Sequence, residues 1–192
     1  MGRAKRFDPD VAVERAVDAF RVHGYGETSP QALADRMGIG KGSLYNTFGS
    51  KHELFLKSLE RYADTSLTDL KAVLDGPGPV RDRIRRMLES FIEADLRDPD
   101  RCGCLIVNSV AELHDREDPA AQLLGRSLEN TESVIRTALI AAQAAGEIDA
   151  GRDPAALAGL VQATMVGLRV LVKTTDDRVR LDRIVEATVQ AI

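Results

Sequence analysis

Residues 28–55 read TSPQALADRMGIGKGSLYNTFGSKHELF, and the fold follows from this stretch. Ser29 offers an N-cap oxygen, and Pro30 falls at the first helical position, where its missing N–H costs nothing. Leu33, Ala34 and Met37 then share one face at helical spacing. Gly38 supplies a left-handed stop, with Ile39 tucking into the turn. The spacing predicts a second helix over residues 41–48. Eight residues make about 12 Å of helix, too short to persist alone, so it must lean on neighbours. Leu44 and Phe48 give it one buried edge. At about 100° per residue Asn46 points away from that edge, with Gly42, Ser43 and Tyr45 flanking it. Two short helices joined through Gly-Ile-Gly form a helix-turn-helix.

A third helix opens on Ser50-Lys51-His52-Glu53, a capping box whose free N–H groups and Lys51 attract phosphate. The stretch resembles the DNA-binding domain of TetR-type repressors. The match is carried by Leu33-Ala34, Gly38, Lys41-Gly42-Ser43-Leu44-Tyr45, Phe48, Lys51 and Leu54-Phe55, and covers roughly residues 8–60. Gly40 departs from the Ser or Thr cap that many members carry, which leaves that cap to the backbone. Together with the outward face, the resemblance implies that Gln31, Ser43 and Asn46 reach base edges, Lys41, Tyr45 and Lys51 meet phosphate, and Gly42 and Thr47 complete the surface on duplex DNA.

The chain's 192 residues carry a net charge of −4. Its distribution tells more than its sum. Residues 1–57 hold nine bases against seven acids, and the remainder seventeen against twenty-three. A mildly basic module on an acidic body suits a DNA reader whose second part does something else. Arg3, Lys5 and Arg6 form a basic arm able to follow a phosphate backbone. No apolar run approaches a membrane span and no secretory segment opens the chain, so a cytoplasmic protein without a membrane partner is expected.

Beyond the reader, hydrophobic spacing predicts helices throughout. Asp8-Pro9 starts the first helix, which residues 23–26 end, and Tyr25 packs into the reader's core. A long helix runs from Ser50 to about Leu74 and is stopped by Asp75-Gly76-Pro77-Gly78-Pro79. Further helices follow over Val80–Ile92, from residue 105 to 113, from Pro119 to about Ala145, from Pro154 to Lys173, and from Asp177 to Ile192. The expectation is an all-α chain of about nine helices. Its helix-turn-helix domain (1–57) is joined by a long helix to a helical ligand-binding and dimerisation domain (58–192).

The segment 154–173 is apolar nearly all round, so it must be covered on both sides. The resemblance implies a homodimer through the two C-terminal helices, which lets two readers meet a pseudo-palindromic operator. It also implies a pocket among the middle helices for a small apolar organic effector. Candidate lining residues are Met87, Phe91, Leu105, Asn108, Thr164, Met165 and Leu168, with Asn108 as the polar anchor.

Cys102 and Cys104 are too close in sequence for a disulfide framework. A metal site would need a further ligand, His114 being nearest, and none is expected. As a thiol sensor Cys102 gains from Arg97 and Arg101 nearby. Cys104 reads as packing in a CGCLIVN run that resembles the regulatory domain of one TetR subgroup. No phosphate-cradling glycine loop, Gly-x-Ser-x-Gly or carboxylate–histidine set is present, so no enzyme, catalytic residue or cofactor is expected. The expected function is a ligand-responsive repressor. An activator on the same fold, or a small-molecule binder that retains the reader fold, are the alternatives.

Overall fold

The computed structural model describes residues 7–113 and 118–192, so the basic arm (Arg3, Lys5, Arg6) and His114 lie outside the described residues. Nine helices are found among them: α1 (Pro9–Glu27), α2 (Pro30–Met37), α3 (Lys41–Phe48), α4 (Lys51–Leu74), α5 (Val80–Arg97), α6 (Leu105–Glu112), α7 (Pro119–Ala144), α8 (Pro154–Leu171) and α9 (Arg178–Gln190). The starts are chemically marked. Asp8, Ser29, Asp118 and Asp153 each cap a helix whose first turn holds proline, and each side chain accepts a backbone N–H. Ser50 caps α4 by accepting from Glu53 N at 3.0 Å. Only half of the expected capping box forms, since Ser50 N donates to Phe48 O instead.

Gly38 ends α2 at φ +71°. Ile39 N then donates to Ala34 O at 3.0 Å, and Arg15 donates to Met37 O at 3.0 Å. Gly40 makes no side-chain cap. α1 runs past its expected stop to Glu27, but Gly24 breaks its course at φ +73°, ψ 177°. That conformation is essentially reserved for glycine.

The buried side chains form two clusters. One joins α1, α2, α3 and the first half of α4 around Phe20, Leu33, Leu44 and Phe55. It does not stop at residue 57, because Leu59 and Leu105, Ile106, Leu123 and Leu124 of α6 and α7 belong to it. The other fills the body between the end of α4 and α5, α7, α8 and α9. α4 therefore runs through both.

α8 corrects one expectation. Its 18 residues are long and apolar enough to cross a membrane by length and composition, whereas no such run was foreseen. Its one charge is Arg169, whose guanidinium is 2.8 Å from Asp95 of α5 and stacks 4.4 Å from the Phe91 ring centroid. Asp95 is only 3% exposed in its side chain, and its Oδ2 is buried without a hydrogen bond. Burial pushes the Asp95 carboxyl above its ordinary range, and Arg169 works against that rise.

Arg169→Met should leave an uncompensated buried charge and cost about 3–5 kcal/mol in urea unfolding, whereas Arg169→Met with Asp95→Leu should recover most of it. The pH dependence has a definite sign. A carboxyl raised in the folded state contributes stability while protonated and loses it as pH rises through its folded value. The single variant should therefore be most stable in acid and lose stability as pH increases, more steeply than the parent.

Candidate functional site

α3 buries Leu44 and Phe48 and exposes Lys41, Gly42, Ser43, Tyr45, Asn46 and Thr47 along one outward row. A Cβ built on Gly42 would meet nothing within 4 Å, so this position lets a second surface approach the backbone closely. Gln31 lies exposed at the start of α2 and donates to Asp35 Oδ1 at 2.9 Å, which orients its amide. Lys51 stands half-buried at the N-terminus of α4. Its Nζ lies 4.4 Å from the Tyr25 ring centroid and donates to Gly26 O at 3.4 Å. Burial lowers the Lys51 pKa, while Glu112 and Glu27 oppose the fall. Tyr25 is sandwiched among Phe20, Phe55 and His52, so its ring belongs to the reader's core.

The reader is tied to the body at both ends of α6. At its N-terminal end Arg21 donates to Gly103 O and pairs with Asp98 at 3.2 Å. At its C-terminal end the Glu112 carboxylate accepts from Tyr25 N at 2.9 Å and from Gly26 N. The Gly24 kink turns these two N–H groups toward one carboxylate. A Cβ on Gly24 would lie 2.9 Å from Glu112 Oε2. The clasp thus requires glycine there for both conformation and space.

Between α4, α5, α6, α7 and α8 lies an interior cavity of about 50 Å³. Phe91 and Met165 line it, and the other expected lining residues stand elsewhere. Met87 and Leu168 are buried in the body cluster, and Leu105 is in the reader's cluster. The Thr164 hydroxyl is 3.1 Å from that of Thr188. Asn108 donates to Cys102 O at 2.6 Å and accepts from Lys173 at 2.8 Å, so its amide secures the Cys-Gly-Cys turn. The cavity's polar groups come from residues that the sequence reading did not single out: Tyr62, Ser66, Ser127, Thr131 and Arg169. The one legible signal was the single arginine in an otherwise apolar helix. Burial raises the Tyr62 phenol's pKa, and the neighbouring Cys104 adds to the rise.

The sign expected for Cys102 is reversed. Arg97 pairs with Glu93 and Arg101 with Asp176, while Cys102 is buried beside Asp98 and Asp100. Burial first, and these carboxylates next, raise its thiol pKa, which Arg21 only partly offsets. Cys104, half-buried, is the cysteine that lines the cavity.

Residues 12–57 match the family model described as bacterial regulatory proteins of the tetR family, and residues 80–188 match the tetracyclin repressor-like C-terminal domain. The HTH-type transcriptional regulator YezE of Bacillus subtilis is 32% identical over 194 residues, covering 100% of both chains. The HTH-type transcriptional repressor ComR of Escherichia coli is 28% identical over 174 residues, 88% of this chain and 81% of that one. Among solved structures, a cysteine-substituted form of the TetR family transcriptional regulator CifR, complexed with 26-bp double-strand operator DNA, superposes with a TM-score of 0.89. It is 30% identical, with 99% of each chain covered. A reader, a shaft helix and a helical body, matched over both parts of the chain, place this protein in the TetR family of bacterial transcriptional regulators.

Proposed function

We propose that this protein is a dimeric, cytoplasmic repressor that lays α3 into the major groove of its operator and lets go when a small organic molecule enters and widens the interior cavity. The observation that carries the DNA reading is the outward row on α3, where every residue except Leu44 and Phe48 is exposed. Ser43 and Asn46 offer hydrogen bonds to base edges, with Gln31 beside them. Lys41, Tyr45 and Lys51 serve phosphate, Gly42 permits close approach, and Thr47 extends the row. The operator complex of the related CifR supports the same mode of binding here.

The dimer reading rests on α8 and α9. Within one chain α8 buries only Leu157, Ala158, Val161 and Leu168. Leu160 and Val170 are 41% and 50% exposed. They stand in a row with Ala156, Ala163 and Gly167 at three- and four-residue spacing. An open furrow along this face brings Leu160 together with Ile184 and Ala187 of α9. A second copy of the same pair of helices covers such a face and completes a four-helix bundle.

The effector reading rests on α6. Its N-terminal end lines the cavity through Cys104, Ile106 and Val107, and its C-terminal end holds the reader through Glu112. An occupant that widens the cavity shifts α6 and with it the turn that seats Lys51. Its leverage is limited to the difference in its affinity for the two states.

Four outcomes are expected. In fluorescence anisotropy with the protein's own promoter, Asn46→Ala should lose about 1–3 kcal/mol of specific affinity while non-specific binding holds. Lys51→Ala should weaken all sequences alike and flatten the salt dependence. An Asn46→Ala protein that binds as tightly as the parent removes the face assignment. Leu160→Glu should sediment as a folded monomer with lost operator binding, whereas a monomeric parent at micromolar concentration contradicts the dimer. Glu112→Ala should keep its helicity yet lose about 1–3 kcal/mol of stability, with faster amide exchange at Tyr25 and Gly26.

A further inference from the structure

A furrow of about 590 Å³ runs along the outside of the shaft, between α4 and α7, separate from the interior cavity. Its α4 wall is Leu67, Lys71 and Leu74, one row at four- and three-residue spacing. Its α7 wall runs from Asn130 to Ala141, twelve residues or about 16 Å of helix. Val134 and Ala138 make that wall apolar where it faces Leu67 and Leu74. The Thr137 hydroxyl is spent on Ser133 O within its own helix, so it sets no polar code along the length. The volume lies within the ordinary range for small-molecule sites.

Lys71 of α4 and Arg83 of α5 are the two cations that line the furrow. The Lys71 ammonium has no hydrogen-bond or ion-pair partner among the described residues. Arg83 donates to Leu74 O at 2.7 Å and stands 3.9 Å from Glu147, while its Nε is buried without a partner. Glu147 is already engaged, accepting from Val80 N at 2.6 Å. Against these two cations the lining holds one carboxylate, the exposed Asp75. The furrow therefore joins an apolar strip, Leu67, Leu74, Val134 and Ala138, to the unpaired ammonium of Lys71, with Asn130, Ser133 and Thr137 on the α7 side.

We propose that this furrow is a second ligand site, distinct from the interior cavity, for a linear amphipathic carboxylate. The alkyl chain lies along Leu67, Leu74, Val134 and Ala138, and the carboxylate sits between Lys71 and Arg83. A neutral amphiphile keeps the apolar contact but leaves the Lys71 ammonium unanswered. A cationic one meets repulsion there. This assignment needs neither operator binding nor the interior cavity.

The chain has no tryptophan, so Thr137→Trp places a single fluorophore at the rim. Decanoate, decanol and decyltrimethylammonium are titrated against it below their aggregation thresholds. Decanoate should give a saturable response at one site per chain, at least about tenfold tighter than decanol, and Lys71→Glu should remove that preference. Calorimetry on the unmodified chain and on Lys71→Glu repeats the comparison without the reporter, so it decides the matter even if the tryptophan variant misfolds. Equal affinity for decanoate and decanol overturns the proposal. So does a response that never saturates, a decanoate affinity unchanged by Lys71→Glu, or tightest binding by the cationic amphiphile.

Discussion

An eight-residue helix has too few internal hydrogen bonds to persist in water, and α3 therefore exists only because Leu44 and Phe48 are sealed into a neighbouring core. That constraint shapes everything around it. The Phe7 ring lies 6.4 Å from that of Phe48, and in the same cluster Phe20 of α1 and Phe55 of α4 meet edge-on at 4.9 Å. Because one edge is buried, the opposite row is free. The geometry that stabilises the helix is the same geometry that presents it.

α6 is equally short and survives for the same reason, but it stands between the reader's core and the interior cavity. Leu105 and Ile106 are buried with the reader, while Ile106 and Val107 also touch the interior cavity. Polar ties then hold it at each end, Arg21 to Gly103 O and Glu112 to the Tyr25 and Gly26 N–H groups. Charged partners on backbone groups are strong and directional. A shift of α6 therefore reaches the reader without passing along α4. α4, continuous through both clusters, offers a second and stiffer connection.

The body follows a different logic. Apolar packing alone would specify the rotation of α8 weakly, with only Gln162 and Thr164 bonding to its neighbours. Arg169 fixes that rotation, because it can be buried only where Asp95 and Phe91 receive it. With that face committed, Leu160 and Val170 are turned outward.

Much of this architecture is local and hence legible in the chain. Caps, prolines and glycine stops mark helix ends through bonds that span only a few residues, so α2, α3 and α4 could be bounded from Ser29, Gly38 and Ser50. The buried and exposed rows of α3 follow from helical periodicity alone. Periodicity does not say which neighbour a face meets. Leu105, Leu168 and Met87 are as apolar as Phe91 and Met165, yet only the latter two border the cavity, because that depends on how five helices cross. The chain ranked Asn108 as an anchor, but a carbonyl and a lysine distant in sequence had already claimed its amide. Cys102 reversed for the same reason. Arg101 found Asp176, 75 residues away, while Arg97 pairs locally with Glu93, leaving the thiol with Asp98 and Asp100. Bonds closed within one helical turn belong to the sequence. Partners chosen across tens of residues, and the charges they neutralise, are decided only when the helices pack.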